Sequence, residues 1–86
     1  MTVEVTLYGA PDCHLCDVAK DVLVQQQPSL GFELRMVDIS GDAELEAAHR
    51  AEIPAVYIAG RKAFKYRVEP VELARRVRAA ALQTGP

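Results

Sequence analysis

The two cysteines of this chain lie only two residues apart, within residues 9–16. They follow an apolar run over residues 3–8 that is typical of a strand, and they open a pattern that is typical of a helix. Cα atoms three residues apart in a first helical turn lie within reach of a disulfide, so Cys13 and Cys16 can be joined without moving the backbone. This spacing requires a strand, a tight turn and a helix start in that order, and it predicts thiol chemistry at the turn.

The helix start also distinguishes the two sulfurs. The first N–H groups of a helix lack intrahelical partners, and the positive end of the helix dipole favours a thiolate. We expect Cys13 at or near the N-cap with its sulfur facing those groups, and Cys16 one turn further in and more buried. Cys13 is therefore interpreted as the attacking nucleophile and Cys16 as the resolving thiol. The carboxylate of Asp12 disfavours a thiolate at Cys13, whereas a protonated His14 favours one.

A cysteine pair at this spacing has three other interpretations. A zinc site would need further soft ligands, and the chain offers only His14, which is wedged between the cysteines, and His49. A purely structural disulfide closes too short a loop to remove much chain entropy from the unfolded state. Two buried free thiols do not fit the polar, turn-like neighbours of the cysteines. Redox chemistry is favoured, with no metal and no cofactor.

Length and composition limit the remaining possibilities. The 86 residues, half of them hydrophobic, predict a single domain over 1–86 with a modest core and a loose tail from about Gln83. A net charge of −2 gives no electrostatic case for nucleic acid or an anionic membrane. No apolar run approaches a membrane span, and the N-terminus lacks a signal-type stretch. We expect a cytoplasmic monomer, in a reducing compartment where a lone CxxC is more often catalytic than structural.

The spacing of apolar residues predicts the element order β-α-β-α-β-β-α. The first helix is expected to end at Pro28, and the second to begin with Ser40 as its N-cap. The predicted strands cover residues 3–8, 32–39, 55–59 and 62–66, with their apolar side chains in the core. The last helix begins at Pro70 and is expected to present one apolar stripe, with Leu73 beside it: Val71, Ala74, Val77 and Ala81. Right-handed crossovers would make the first two βαβ connections parallel, and a turn at Gly60 adds an antiparallel edge.

This order and these motifs resemble the thioredoxin fold in its short, glutaredoxin-like form, over essentially the whole chain. Residues 9–16 look like the family's active-site turn, and residues 52–56 look like its cis-proline segment. The resemblance implies an α/β domain with a four-stranded mixed sheet flanked by three helices. It also implies a cis peptide bond before Pro54, which would face the cysteines. The backbone of Ile53 would then bind the substrate thiol by strand-like addition.

The chain departs from the glutathione-using glutaredoxins after its hairpin. Those proteins carry a Gly-Gly-Asp-like signature that grips the γ-glutamyl end of glutathione, whereas residues 66–69 here contain neither a glycine nor an aspartate. The side chains of Arg67 and Val68 would occupy the space of the glycine pair. Arg67 could still receive a substrate carboxylate. We therefore predict weak glutathione binding and better turnover with a dithiol reductant.

The sequence thus predicts a thiol–disulfide oxidoreductase with a dithiol mechanism, acting on protein or small-molecule disulfides. Ile53, Pro54, His14 and Arg67 are the candidate substrate-binding residues. The reductant stays open between glutathione and a flavoenzyme of the thioredoxin-reductase type. The alternative is a redox-sensing or redox-inert thioredoxin-fold module that binds a partner through the Ile53 edge. The presence of both cysteines in the expected turn favours the enzyme.

Overall fold

The computed structural model describes residues 2–84 of the chain. Its elements are β1 (Glu4–Gly9), α1 (His14–Leu30), β2 (Glu33–Asp38), α2 (Ala43–His49), a short 3-10 turn (Arg50–Glu52), β3 (Ala55–Ile58), β4 (Arg61–Lys65) and α3 (Pro70–Thr84). The predicted order of strands and helices is confirmed. A loose tail is predicted from about Gln83, but the structure places Gln83 and Thr84 in α3. Residues 85 and 86, the rest of the predicted tail, lie outside the described residues.

The four strands form one mixed sheet in the order β2-β1-β3-β4. β1 is parallel to β2 and antiparallel to β3, and β4 is antiparallel to β3. The prediction that the second connection is also a parallel crossover is therefore wrong. β2 ends opposite Gly9 and β3 begins opposite Tyr8, so the chain leaves and re-enters the sheet at the same end of the strands, the C-terminal end of β1. The seven residues of α2 make only about 10 Å of helix, too short to return along a six-residue strand of about 20 Å.

α1 runs past the residue that was expected to end it. Pro28 lies inside the helix, which continues to Leu30 and is capped by Gly31 at φ 72°. The N–H of Gly31 donates to the carbonyl of Gln27 at 2.8 Å. A proline loses its own N–H and crowds the carbonyl four residues earlier, but α1 continues past Pro28, whereas a residue with positive φ turns the backbone out of the helix. Glycine, rather than proline, therefore sets this helix end.

α2 is capped by Asp42, so the prediction of Ser40 as its N-cap is wrong. Oδ1 of Asp42 accepts from the N–H groups of Glu44 at 3.0 Å and Leu45 at 3.1 Å. The N–H of Ser40 instead donates to the Asp38 carboxylate at 2.8 Å, which closes a local turn. Gly41, at φ 82°, separates that turn from the helix. A carboxylate in this position satisfies two of the orphan donors of the first helical turn.

The core lies between the sheet and the pair α1 and α3. Fully buried side chains from several elements belong to this core: Val5, Leu23, Val56 and Leu73. On α3 the buried stripe is Leu73 and Val77, whereas Val71 is 77% exposed. The expected stripe through Val71 is wrong because residues two apart on a helix point about 200° apart, so burying Leu73 turns Val71 to solvent. Met36, expected in the core, is 54% exposed.

No helix among residues 2–84 combines the length and the apolar character that crossing a membrane requires.

Candidate active site

Cys13 and Cys16 are joined by a disulfide, with their Cα atoms 5.2 Å apart. Cys13 is the N-cap of α1, and its sulfur accepts the N–H of Cys16 at 3.2 Å. Cys13 is half-buried, whereas Cys16 is only 6% exposed. The sulfur of Cys13 therefore lies where a helix N-terminus stabilises negative charge, and it is the more accessible of the two.

The turn before the cysteines brings the helix start close to β1. The N–H of Cys13 donates to the carbonyl of Ala10 at 3.2 Å, which closes the turn after Gly9. A Cβ atom on Gly9 would lie only 3.0 Å from the sulfur of Cys16. The missing side chain of Gly9, the last residue of β1, therefore leaves space for the disulfide.

The proline segment lies at the same edge of the sheet as the cysteines. The register pairs Tyr8 with Ala55, so Pro54 comes opposite Gly9, just beyond the last paired residues. The Ile53–Pro54 peptide bond is cis, Ile53 is extended and half-buried, and Pro54 is buried. The backbone N–H of Tyr66 donates to the carbonyl of Pro54 at 2.8 Å, which attaches the end of β4 to this segment.

The two remaining candidate residues are His14 and Arg67. His14 is the first residue of α1 and is exposed. Arg67 follows Tyr66 in the connection between β4 and α3, and it is exposed as well. The hydroxyl of Tyr66 donates to the carbonyl of Ala51 at 3.0 Å, so this connection is held against the segment that leads to the proline. The chain thus brings Cys13, Cys16 and His14 into one turn and carries Arg67 along the neighbouring segment.

An ion pair connects the active-site turn to the end of α2. Arg50, the first residue of the 3-10 turn, contacts the carboxylate of Asp12 at 3.4 Å and also binds Glu46 of α2. The hydrogen bond to Glu46, followed by the one to Asp12, raises the pKa of Arg50 above its ordinary value. Sequence reasoning treated Asp12 as an unpaired anion beside Cys13. The structure gives it a cation partner, although both side chains are well exposed and salt will screen the interaction.

His49, the other possible zinc ligand in the sequence, belongs to an aromatic cluster. Its ring stacks on Tyr8 with centroids 4.2 Å apart, and Tyr57 meets Tyr8 edge-on at 5.3 Å. Its Nδ1 atom is buried and has no hydrogen-bond partner among the described residues. Within residues 2–84, no group of three or more histidine, cysteine or acidic side chains could hold a metal ion.

A groove of about 320 Å³ runs along the β2 side of the cysteine pair. Cys16 and Gly9 form part of its wall, together with the apolar side chains of Leu7 and Met36. Met36 therefore borders this groove instead of joining the core. The alternation along β2 predicts which face of the strand Met36 lies on. It does not predict whether a helix covers that face at Met36 or leaves it open to solvent.

Comparison with known proteins identifies the fold. A family model described as "Glutaredoxin-like domain (DUF836)" matches residues 4–78. The X-ray structure of protein XcR50 from X. campestris is 31% identical, with a TM-score of 0.69, over 95% of this chain and 99% of that one. Protein Ne2328 from Nitrosomonas europaea is 20% identical, with a TM-score of 0.75, over 88% and 92% of the two chains.

A third solved structure is the glutaredoxin-like protein NrdH-redoxin from Escherichia coli. It is 20% identical, with a TM-score of 0.58, over 96% of each chain. None of the curated proteins matches the chain. The fold is thioredoxin-like, with the four-stranded mixed sheet and three helices described above. From the family model and the match to XcR50, we conclude that the chain belongs to the glutaredoxin-like domain family (DUF836).

Proposed function

We propose that this protein is a dithiol–disulfide oxidoreductase in which Cys13 is the nucleophile and Cys16 the resolving thiol. The observation that supports this most directly is the disulfide at the start of α1, with Cys13 as the N-cap and its sulfur accepting the N–H of Cys16. A sulfur that accepts a helix N-terminal N–H is more stable as a thiolate, which is the attacking form. Burial of Cys16 keeps the second sulfur out of competition for the incoming substrate.

The reaction proceeds in two thiol–disulfide exchanges. The Cys13 thiolate attacks one sulfur of the substrate disulfide, forming a mixed disulfide and releasing the other substrate sulfur as a thiolate. The Cys16 thiolate then attacks the sulfur of Cys13, closing the Cys13–Cys16 disulfide and releasing the second substrate thiolate. The substrate gains two electrons, and an external thiol reductant returns two electrons to the cysteine pair.

The substrate is proposed to bind at the edge formed by Ile53 and Pro54. The extended backbone of Ile53 lies beside the end of β1, which is suited to pairing with an extended substrate segment. His14 and Arg67, both exposed, would contact the parts of the substrate on either side of the reacting sulfur. Within residues 2–84 no ion pair engages Arg67, so its guanidinium is available to a carboxylate.

We propose protein or small-molecule disulfides as substrates and a dithiol, rather than glutathione, as the better reductant. In the stretch where a glycine pair would let glutathione approach, this chain has the exposed, bulky side chains of Tyr66 and Arg67, and Val68 is anchored in the core. NrdH-redoxin, a fold relative, is described as a glutaredoxin-like protein with a thioredoxin-like activity profile. We place the activity in the cytoplasm, because the cycle consumes reducing equivalents that a reducing compartment supplies.

The roles of the two cysteines are tested by single substitutions. We expect Cys13→Ser to abolish reduction of a disulfide substrate, because it removes the attacking sulfur. We expect Cys16→Ser to accumulate a mixed disulfide with the substrate, visible in intact mass, because the second exchange cannot occur. In the reduced wild type, the pH dependence of alkylation should give Cys13 a pKa below the roughly 8.5 of a free thiol.

Three outcomes would contradict this assignment. If Cys16 alkylates before Cys13, the two roles are reversed. If both thiols stay freely alkylated after mild oxidation, the pair is not redox-active. If the pair is oxidised and reduced once per molecule but never turns over, the protein is a redox-sensing module instead of an enzyme.

The preferred reductant is tested by driving the same disulfide substrate with glutathione or with dithiothreitol. We expect glutathione-driven turnover to be slower by about tenfold to a hundredfold, the size that loss of one charge-assisted hydrogen bond predicts. Arg67→Ala should lower the remaining glutathione-driven rate more than the dithiothreitol-driven rate, because only glutathione would lose a carboxylate partner on the reductant as well as on the substrate. Equal rates with the two reductants would show that residues 66–69 do not exclude glutathione.

A further inference from the structure

The outer surface of α3 carries an apolar groove with two arginines in its middle. The groove is open to solvent, has a volume of about 740 Å³ and is bordered on the α1 side by Gln26. Its α3 side is lined by Val71, Ala74, Arg75, Arg78 and Leu82, and we call this surface the α3 groove. It shares no lining residue with the candidate active site.

The two largest apolar side chains of the α3 groove lie at its ends. Val71 is 77% exposed and Leu82 is 85% exposed, the two most exposed large hydrophobic residues of the described chain. Leu82 comes eleven positions after Val71. On an α-helix this displaces its side chain by about 16 Å along the axis and rotates it by three full turns plus about 20°. Both therefore project from the same side of α3. Arg75 and Arg78 come between them on that side, four and seven residues after Val71.

Among residues 2–84, no carboxylate lines the α3 groove. The nearest acid on α3 is Glu72, and it already binds both Arg75 and Arg76. These two guanidinium groups lower the pKa of Glu72 from 4.5 to about 2, so it stays ionised and engaged over the physiological range. Arg78 has no hydrogen bond or ion pair within residues 2–84. The groove therefore combines exposed apolar ends with a net positive centre.

A second copy of this chain does not complement such a surface. In a two-fold interface each groove would face itself, so Arg75 and Arg78 would meet their own counterparts, and the one acid of α3, Glu72, is already shared by Arg75 and Arg76. Like charges facing each other across an interface are unfavourable. A complementary occupant needs apolar side chains about 16 Å apart and carboxylates between them. An α-helix of three to four turns, laid along α3, meets this requirement.

We propose that the α3 groove binds an acidic amphipathic helix of a partner protein. The apolar residues of the partner helix pack on Val71 and Leu82. Its carboxylates pair with Arg78 and with the outer side of Arg75. The small side chain of Ala74 on the floor of the groove lets the partner helix approach closely. This interaction goes beyond the proposed redox reaction, because it uses neither the cysteines nor the Ile53 edge.

The test uses the full chain and a synthetic 18-residue amphipathic peptide with leucines on one face and glutamates beside them. We expect saturable binding by calorimetry, with amide shifts in NMR confined to α3 and the facing part of α1. Val71→Ser combined with Leu82→Ser should weaken binding at least tenfold, because the apolar anchors are lost. Val24→Ser, a 47% exposed valine on α1, is the matched control and should leave binding unchanged.

Charge reversal makes the test specific. Arg78→Glu should weaken binding of the glutamate peptide at least tenfold and strengthen binding of the same peptide with lysine in place of glutamate. Arg35→Glu, on the edge strand β2, is the control for a general change in net charge. Turnover of a small disulfide should be the same in all these variants, so a failure here is distinguishable from a failure of the proposed oxidoreductase activity.

Several results would overturn the proposal. One is equal binding of a peptide with glutamine in place of glutamate, or no effect of Arg78→Glu. Another is concentration-dependent dimerisation of the chain that the Val71 and Leu82 substitutions remove, which would assign the groove to a second copy. A third is binding to vesicles containing phosphatidylserine without binding to the peptide, which would assign it to a lipid surface.

Discussion

At the scale of single residues, the cysteine pair depends on what each sulfur touches. The sulfur of Cys13 receives the N–H of Cys16, whereas the sulfur of Cys16 packs against the backbone of Gly9. The first contact favours charge on Cys13, and the second sets the space in which the disulfide closes. A residue with no side chain is therefore part of the active-site geometry, although it carries no reactive group.

We predict that Gly9→Ala destabilises the oxidised protein by about 1–3 kcal/mol, the usual cost of one extra carbon in a packed site. The added Cβ would lie 3.0 Å from the sulfur of Cys16 and 3.2 Å from its Cβ, so the disulfide must shift. Denaturant unfolding of the oxidised protein measures the change. The same substitution in a Cys16→Ala background should cost less, because the sulfur is gone. An equal cost in both backgrounds would show that the conflict does not involve the sulfur.

At the scale of elements, helix ends decide how the chain enters and leaves the site. Cys13 and Gly31 cap the two ends of α1, and Asp42 caps the start of α2. In each case a local group satisfies backbone atoms that the helix itself cannot. α2 then delivers Arg50 to Asp12 and leads into the proline segment, so its position affects both sides of the active-site edge.

We predict that Asp42→Ala lowers the free energy of unfolding by about 0.5–2 kcal/mol, the usual cost of losing an N-cap acceptor. Its Oδ1 atom accepts two N–H groups of α2, and alanine leaves both without a partner. Ser40→Ala is the matched control, because only the backbone of Ser40 makes a hydrogen bond there. Its effect should stay within about 0.5 kcal/mol. Chemical denaturation compares the two, and a larger effect at Ser40 would contradict the observed cap.

At the scale of the whole molecule, a small core supports the active-site edge. A domain of 86 residues buries a smaller share of its surface than a larger one, so each fully buried side chain carries a large part of the stability. Leu23 of α1 is fully buried against the sheet and belongs to the cluster that also contains Val56 and Leu73. The helix that carries the cysteines is thus held by this cluster.

We predict that Leu23→Ala costs about 2–5 kcal/mol, from lost burial and the cavity that remains. Val24→Ala, one residue further along α1 and 47% exposed, should change stability by no more than about 0.5 kcal/mol. Urea unfolding of both variants measures the difference. If the two substitutions cost the same, the packing of α1 against the sheet is not as described.

Much of this protein is encoded locally in its sequence. The element order follows from apolar periodicity, and the start of α1 follows from the spacing of Cys13 and Cys16, because both depend on residues a few positions apart. The cis peptide before Pro54 was expected only from the resemblance to glutaredoxins, and the structure has it. Apolar periodicity and the cysteine spacing, both local patterns, thus indicated the fold class and the reactive pair.

Tertiary structure alone decided how these elements meet. The antiparallel direction of β3 depends on how far α2 can carry the chain, and the buried face of α3 depends on how Leu73 packs, so neither follows from local periodicity. The pairing of Asp12 with Arg50 joins residues far apart in sequence. The physical reason is the same in each case: local patterns specify which faces are apolar, whereas packing and chain reach select which face meets which neighbour.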